Sequence, residues 1–200
     1  DKFVEQDRRT GTQTLMTLPM AGWVAKRRPP NDNHPFDCGF KVSTYGAQQS
    51  TDPWDTDCGN GVKTNGTNIT GNNATDTSVA VGASFDQDWM RHLIANYGKA
   101  DAGGVKFYNL DNEPELWRFT HRDIRPQPLS YDELRDRTWE YAAAVKAVDP
   151  AAQTLFNIGI VKRDGKNDRK GAVEAWERLL ASNPAYPEAA RVRALMGEAR

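Results

Sequence analysis

Short apolar runs separated by longer amphipathic segments give this chain its pattern. The runs at residues 15–20 and 105–110 are bounded by turn-forming residues and predict buried strands. Helical periodicity appears over residues 84–98 and again over residues 131–148. Strands that alternate with amphipathic helices are typical of a parallel sheet with crossover helices, so we predict an α/β fold.

The two predicted helices carry different local signals. In the first, Phe85, Trp89 and Leu93 recur at a spacing of four, which predicts that these side chains pack in the core. In the second, Ser130 and Glu133 have the spacing of a capping box, in which a serine hydroxyl accepts a hydrogen bond from the backbone three residues later. Both segments therefore read as helices that cover a sheet.

The second strand ends in a polar tetrapeptide, Asp111-Asn112-Glu113-Pro114. The last side chains of a parallel strand reach the loop above the sheet, where α/β barrels build their active sites. Glu113 is thus placed to protonate a departing glycosidic oxygen, and Asn112 to bond a substrate 2-hydroxyl. The alternative is a plain polar turn, because Asp, Asn and Pro are common turn formers.

Longer stretches of sequence decide between these interpretations. They are TLMTLPMAGWVAK at 14–26, YGAQQ at 45–49, DCGNG at 57–61, and LDNEPELW at 110–117 followed by THRD at 120–123. Over residues 1 to about 152, the chain resembles glycoside hydrolase family 44. The resemblance implies a (β/α)8 TIM barrel and a retaining endo-β-1,4-glucanase or xyloglucanase that acts on β-glucan or xyloglucan. We expect no cofactor.

The resemblance also assigns roles to single residues near the second strand. Glu113 matches the family acid/base after strand four, and Asn112 is its neighbour at the substrate 2-hydroxyl. Three further residues are expected to support the substrate in the cleft: Asp111, Trp117 and His121.

The irregular stretch over residues 27–79 is rich in Gly, Pro, Asn and Asp. A loop of that length is uncommon in a compact domain unless it is functional, and in a glycanase it would form the cleft wall. Flat aromatic rings stack on the apolar faces of pyranoses, so Trp23 and Trp54 are candidate sugar platforms together with Trp117. Core packing is the alternative for each of them.

The resemblance supplies no nucleophile, because the family places its second Glu near the end of strand seven. A complete barrel typically takes about 250 residues, whereas this chain has 200. Asp111 and Glu115 flank Glu113, but side chains two apart on one strand point the same way, and a retaining pair must flank the scissile bond. We therefore expect an incomplete catalytic domain with an open sheet instead of a closed barrel.

The sequence changes character after Pro150. Small and large residues there are spaced nearly as in a tetratricopeptide repeat, at Gly159, Ala172, Trp176, Leu179 and Pro184. We predict the hydrolase segment over residues 1–153 and an α-helical, TPR-like tail over residues 154–200. The alternative function of the chain is accordingly protein binding through this tail, fused to an inactive barrel remnant.

Composition narrows the possible partners. The chain is 38% hydrophobic and 26% charged, with a formal net charge of −1. Near-neutral charge gives no footprint for nucleic acid, and no apolar run is long enough to span a membrane. The three histidines are scattered and there is no Cys-x-x-Cys pair, so we expect no metal site.

Two cysteines, Cys38 and Cys58, lie in the long irregular region. The resemblance implies a secreted enzyme, although the chain begins at Asp1 without an export signal. In an oxidising compartment these cysteines are expected to form a disulfide, with two free thiols as the alternative.

Overall fold

The computed structural model describes residues 1–155, 169–182 and 189–199, which fall into two compact units, Asp1–Thr154 and Leu155–Arg200. The elements that begin in the first unit are α1 (Lys2–Thr10), β1 (Leu15–Leu18), β2 (Trp23–Ala25), α2 (Val42–Tyr45), β3 (Ser78–Ala80), α3 (Ala83–Tyr97), β4 (Phe107–Leu110), α4 (Trp117–Thr120), α5 (Tyr131–Val148) and β5 (Gln153–Leu155). Short 3₁₀ turns lie at Ala74–Asp76, Ala100–Ala102 and Pro114–Leu116.

A three-stranded sheet in the order β1-β4-β5 forms the centre of this unit. β1 and β4 are parallel and in register from Leu15 opposite Phe107 to Leu18 opposite Leu110. β1 is bonded to β4 alone, so within the part of the chain that the structure describes the sheet is open. The expectation of an open sheet is confirmed for these residues.

The two long helices cover one face of the sheet. α3 packs against α5, and α5 also contacts β4. Leu18 and Leu110 are buried on this side, whereas Leu15 of the edge strand is 46% exposed. More buried and less buried side chains alternate along β1 and β4 because successive side chains of a strand point to opposite faces of the sheet.

The helix starts show how far local signals determine the elements. The Ser130 hydroxyl accepts a hydrogen bond from the backbone N–H of Glu133 at 3.1 Å, which confirms the predicted N-cap of α5. The Glu133 carboxylate does not complete the capping box, since it pairs with Arg125 and Arg137.

The core face of α3 differs from the predicted one. The buried positions of this helix are Ala83, Asp86, Met90 and Leu93. The observed stripe thus shares Leu93 with the predicted one but has Asp86 and Met90 in place of Phe85 and Trp89. Phe85 is exposed and Trp89 is half-buried. The prediction that both aromatic side chains lie wholly in the core is therefore wrong, because spacing alone does not fix the phase of a helix against its sheet.

The irregular stretch over residues 27–79 is held together by charges and cross-links. The side chain of Arg28 is 10% exposed and contacts Asp37 at 2.9 Å and Asp55 at 2.7 Å. Burial acts to raise the pKa of Asp37, but hydrogen bonds from Lys41 and Arg28 outweigh it and hold that pKa below its ordinary value. Isolated β-bridges, such as Lys41 with Cys58, tie the segments together.

A disulfide joins Cys38 and Cys58 in this stretch. The two sulfurs and the Asp55 carboxylate lie within 4.8 Å of one another. Because the sulfurs are bonded to each other and Asp55 is paired with Arg28, the group fits a structural cross-link and not a metal site.

Removing the disulfide is expected to destabilise the first unit. A loop closed over a sequence separation of 20 residues gives about 3 kcal/mol from the restriction of the unfolded chain. Urea denaturation of the Cys38→Ser/Cys58→Ser variant should show this loss relative to the oxidised wild type. Unchanged stability would mean that the salt-bridged loop folds equally well without the cross-link.

The second unit consists, in its described residues, of two helices that pack together. They are α6 (Arg169–Ser182) and α7 (Ala189–Ala199), and their shared core contains Trp176, Val192 and Met196. Of the positions predicted for a repeat, Gly159 and Pro184 lie outside the described residues. None of the helices in the described ranges is both long and apolar enough to cross a lipid bilayer.

Candidate active site

Two parallel strands end side by side at one edge of the sheet. The backbone N–H of Asp111 donates to the carbonyl of Leu18 at 2.8 Å, which continues the β1–β4 ladder by one residue. The segments that follow, Pro19–Met20 and Asn112–Glu113, therefore leave the sheet together. This is the edge at which parallel α/β folds place their ligand sites.

The Asp111 carboxylate links these two strand ends. Its Oδ2 accepts a hydrogen bond from the backbone N–H of Met20 at 2.6 Å, and Oδ1 accepts one from Asn112 at 2.7 Å. Oδ1 also lies 3.4 Å from the indole nitrogen of Trp117. These hydrogen bonds tie the Asp111 carboxylate to both strand ends, and its expected contact with substrate stays a prediction.

Glu113 has an unusual backbone conformation at the start of the next turn. Its φ is 48° and its ψ is 53°, and Asp111 has a φ of 62°. Non-glycine residues seldom adopt this left-handed region, and such positions cluster at functional sites. Glu113 is exposed, and within the described part of the chain no protein group donates to its carboxylate.

An open cavity of about 410 Å³ lies over this edge. It is lined by Thr17, Pro19, Trp89, Asp111, Asn112, Glu113, Leu116, Thr120 and His121. Four of the predicted site residues thus meet around one cavity: Asp111, Asn112, Glu113 and His121. A cavity of this size suits a small ligand or a short part of a chain.

Sequence reasoning missed Trp89 as a cavity residue. The stripe Ala83, Asp86, Met90 and Leu93 places Trp89 on the flank of α3, from which its indole reaches the cavity wall. The same helical periodicity predicts the position of Trp89 when Met90 and Leu93 are taken as the buried stripe, because Trp89 then lies beside that stripe and not in it.

The predicted sugar platforms lie elsewhere. Trp117 is only 1% exposed and belongs to the core, so its prediction as a platform is corrected: a ring enclosed by protein cannot stack on a sugar. Trp23 is half-buried in β2, and Trp54 is 68% exposed beside the ring of His34. Neither of these two lines the cavity.

Cations surround the buried face of Trp117. The guanidinium of Arg125 lies 5.1 Å from the ring centre and that of Arg137 lies 6.0 Å from it. Burial acts to raise the pKa of Glu133, but its hydrogen bonds with the same two arginines lower it below the ordinary range. These charges fix the indole whose N–H faces Asp111.

A second carboxyl group, which sequence analysis did not single out, lies beneath the site. Asp86 of α3 is 3% exposed, and burial together with the charge of Asp111 raises its pKa to about 7. Glu115, by contrast, is exposed and does not line the cavity. Among the described residues, no carboxylate other than Asp111 shares the cavity with Glu113.

The sequence matches the model of glycoside hydrolase family 44 over residues 1–160. A segment of 72 residues is 38% identical to the beta-mannanase/endoglucanase A of Caldicellulosiruptor saccharolyticus and covers 36% of this chain and 5% of that protein. A segment of 83 residues is 37% identical to endoglucanase A of Paenibacillus lautus and covers 39% of this chain and 12% of that protein.

Solved structures give a matching result. CelM2, a bifunctional glucanase-xylanase from a metagenome library, is similar with a TM-score of 0.76 and 32% identity. The match covers 92% of this chain and 40% of CelM2, so the chain spans less than half the length of each of these relatives. Because the family match takes in β1, β4 and the Glu113 loop together, the chain belongs to glycoside hydrolase family 44.

Proposed function

We propose that residues 1–153 are part of the catalytic domain of a retaining endo-β-1,4-glucanase or xyloglucanase, with Glu113 as its general acid/base. The observation that carries this proposal is the position of Glu113, exposed on a left-handed residue at the wall of the strand-end cavity. A general acid must reach the leaving oxygen directly, and an unengaged carboxyl group above the sheet can do so.

The chemistry needs one proton transfer in each direction. Glu113 donates its proton to the departing glycosidic oxygen, and its carboxylate later takes a proton from the water that releases the sugar. Asn112 is a candidate donor or acceptor to the 2-hydroxyl next to the reacting carbon. His121, whose Nδ1 lies 2.9 Å from the Thr120 hydroxyl, also lines the cavity and is a candidate to support the substrate.

The nucleophile of this reaction comes from outside the described residues. Asp111 is engaged with Met20 and Asn112, and it lies on the same strand end as Glu113. A retaining pair of carboxyl groups stands about 5 to 5.5 Å apart on either side of the anomeric carbon. We therefore propose that this chain supplies the acid/base half of the site.

The substrate is proposed to be a β-1,4-linked plant polysaccharide such as β-glucan or xyloglucan. The names of the relatives include glucanase, xylanase, mannanase and endoglucanase activities. Trp89 offers an aromatic surface at the cavity wall for a pyranose ring. The disulfide between Cys38 and Cys58 agrees with secretion, which we propose as the location of the enzyme.

A chimera tests the role of Glu113. Residues 1–150 replace the matching segment of CelM2, and xyloglucan and β-glucan hydrolysis is measured by release of reducing ends. Glu113→Gln is expected to reduce the rate by about 10² to 10⁴, the usual contribution of general acid catalysis. The reduction should be much smaller for bond cleavage in an aryl glycoside whose leaving group needs no proton.

Two controls accompany this measurement. Glu115→Gln changes an exposed carboxylate that does not line the cavity and should leave the rate unchanged. The 200-residue chain alone should release sugar at background. Equal losses for Glu113→Gln and Glu115→Gln, or a loss that does not depend on the leaving group, would contradict the assignment.

A second candidate function is protein binding by residues 154–200, which we propose as a TPR-like tail. The observation that favours it is the packing of α6 on α7 around Trp176. If the purified chain binds no glucan and instead retains a protein ligand that requires residues 154–200, this second function is the better description.

A further inference from the structure

Asp86 is a buried carboxyl group that the proposed reaction does not use. It lies in the first turn of α3, on the core stripe with Met90 and Leu93. Its Oδ1 is fully enclosed and has no hydrogen-bond partner among the described residues. A buried carboxylate without compensating donors is strongly disfavoured, so this position favours a neutral acid.

The neighbour of Asp86 has the opposite environment. The Asp111 carboxylate accepts hydrogen bonds from two backbone N–H groups and faces the indole N–H of Trp117. Donors of this kind stabilise the charged form. Asp86 has no such donors to its enclosed oxygen, so of these two carboxyl groups Asp86 is the one whose neutral form is favoured.

The groups of α5 that face Asp86 and Asp111 donate no hydrogen bond to the enclosed Oδ1 of Asp86. Tyr141 is buried, and burial, together with the negative charges of Asp86 and Asp111, raises its own pKa. Arg137 is engaged by the Glu133 carboxylate at 2.9 Å and by the carbonyl of Met20 at 3.0 Å. The charge of Asp86, once formed, meets no free cation from this helix.

We propose that Asp86 is a positioning residue for the acid/base loop. While Asp86 is a neutral acid, the Asp111 carboxylate keeps its hydrogen bonds from the backbone N–H groups of Met20 and Asn112. When Asp86 ionises, these hydrogen bonds weaken and Glu113 is displaced. When Asp86 ionises, its proton passes to solvent and a second negative charge appears beside Asp111. The functional part of this inference rests on the proposed role of Glu113.

The midpoint of this transition should fall near neutral pH, since the pKa of Asp86 is raised to about 7. The loop that carries Glu113 is then held in place at pH values below 7 and released at pH values above 7. A glycosidase with this arrangement loses activity on the alkaline side through its loop geometry as well as through the titration of its acid.

NMR of the 200-residue chain tests the link directly and needs no glucan. The amide signals of Met20 and Asn112 are followed from pH 5 to pH 8.5 in the wild type, in Asp86→Asn and in Asp88→Asn. Asp88 is an exposed aspartate on the same helix and serves as the matched control. Wild type and Asp88→Asn should show a shared transition near pH 7, and Asp86→Asn should lose it.

Two outcomes would overturn the proposal. One is the same transition in Asp86→Asn as in the wild type. The other is a side-chain carboxyl carbon of Asp86 in wild-type protein that titrates in the ordinary range of a free aspartate, a measurement that requires no variant to fold.

A separate readout distinguishes this inference from the proposed function. In the CelM2 chimera, Asp86→Asn should shift the alkaline limb of the rate profile while Glu113→Gln lowers the rate at every pH. An unchanged rate in the Glu113→Gln chimera, together with an intact amide transition, would refute the role of Glu113 and leave the link between Asp86 and Asp111 standing.

Discussion

Replacing Trp117 with alanine is expected to lower the free energy of unfolding of the first unit by about 3 to 5 kcal/mol. Trp117 is 1% exposed and is the largest of the fully buried side chains. Its removal leaves a cavity under the acid/base loop and takes away the indole N–H that faces Asp111. Urea denaturation measured by circular dichroism provides the comparison.

Trp54→Ala is the matched control for this prediction. The ring of Trp54 is largely exposed, and substitutions at such positions usually change stability by less than about 0.5 kcal/mol. Trp117→Phe gives an intermediate case, because it keeps a buried six-membered ring and loses the N–H together with the smaller ring of the indole. Similar losses for Trp117→Ala and Trp54→Ala would show that Trp117 is not part of a cooperative core.

The second large effect concerns stability and pH. The pKa of Asp86 rises from 3.8 to about 7 on folding, so between these values the folded state binds a proton that the unfolded state has lost. The contribution of Asp86 to stability is therefore fully present below about pH 4 and is lost as pH rises towards 7. At about 1.4 kcal/mol per pKa unit, the decrease attributable to Asp86 amounts to roughly 4 kcal/mol as an upper limit.

Asp86→Asn should remove this decrease. The amide resembles the neutral acid in shape, so the variant is expected to match the wild type near pH 4 and to exceed its stability at pH 8. Urea denaturation at both pH values, with Asp88→Asn as the control, measures the difference between the curves. If the two curves run parallel from pH 4 to pH 8, Asp86 titrates alike in the folded and unfolded chains.

Local sequence signals predicted much of the framework of the first unit. The Ser130 cap and the turn after β4 act over a few residues, so they can be read without knowing the rest of the fold. The position of Glu113 followed from the same logic, because the end of a parallel strand determines which edge its loop occupies. The left-handed backbone of Glu113 had no such signal.

The errors arose where long-range packing decides. Trp89 and Asp86 exchange the roles that their residue types suggest: the indole reaches the cavity and the carboxyl group enters the core. Which face of α3 meets the sheet depends on its contact with α5, which lies much further along the chain. Trp117 was misplaced for the same reason, since only the folded protein brings Arg125 and Arg137 around its ring.

The left-handed conformation of Glu113 sets selection for stability against selection for activity. Glycine adopts such a backbone without strain and asparagine tolerates it better than most residues, so each would relieve a cost of order 1 kcal/mol. Either substitution would also delete the proposed proton donor. A laboratory screen that rewards thermal tolerance alone would thus tend to enrich inactive proteins at this position, and a useful screen must score both properties at once.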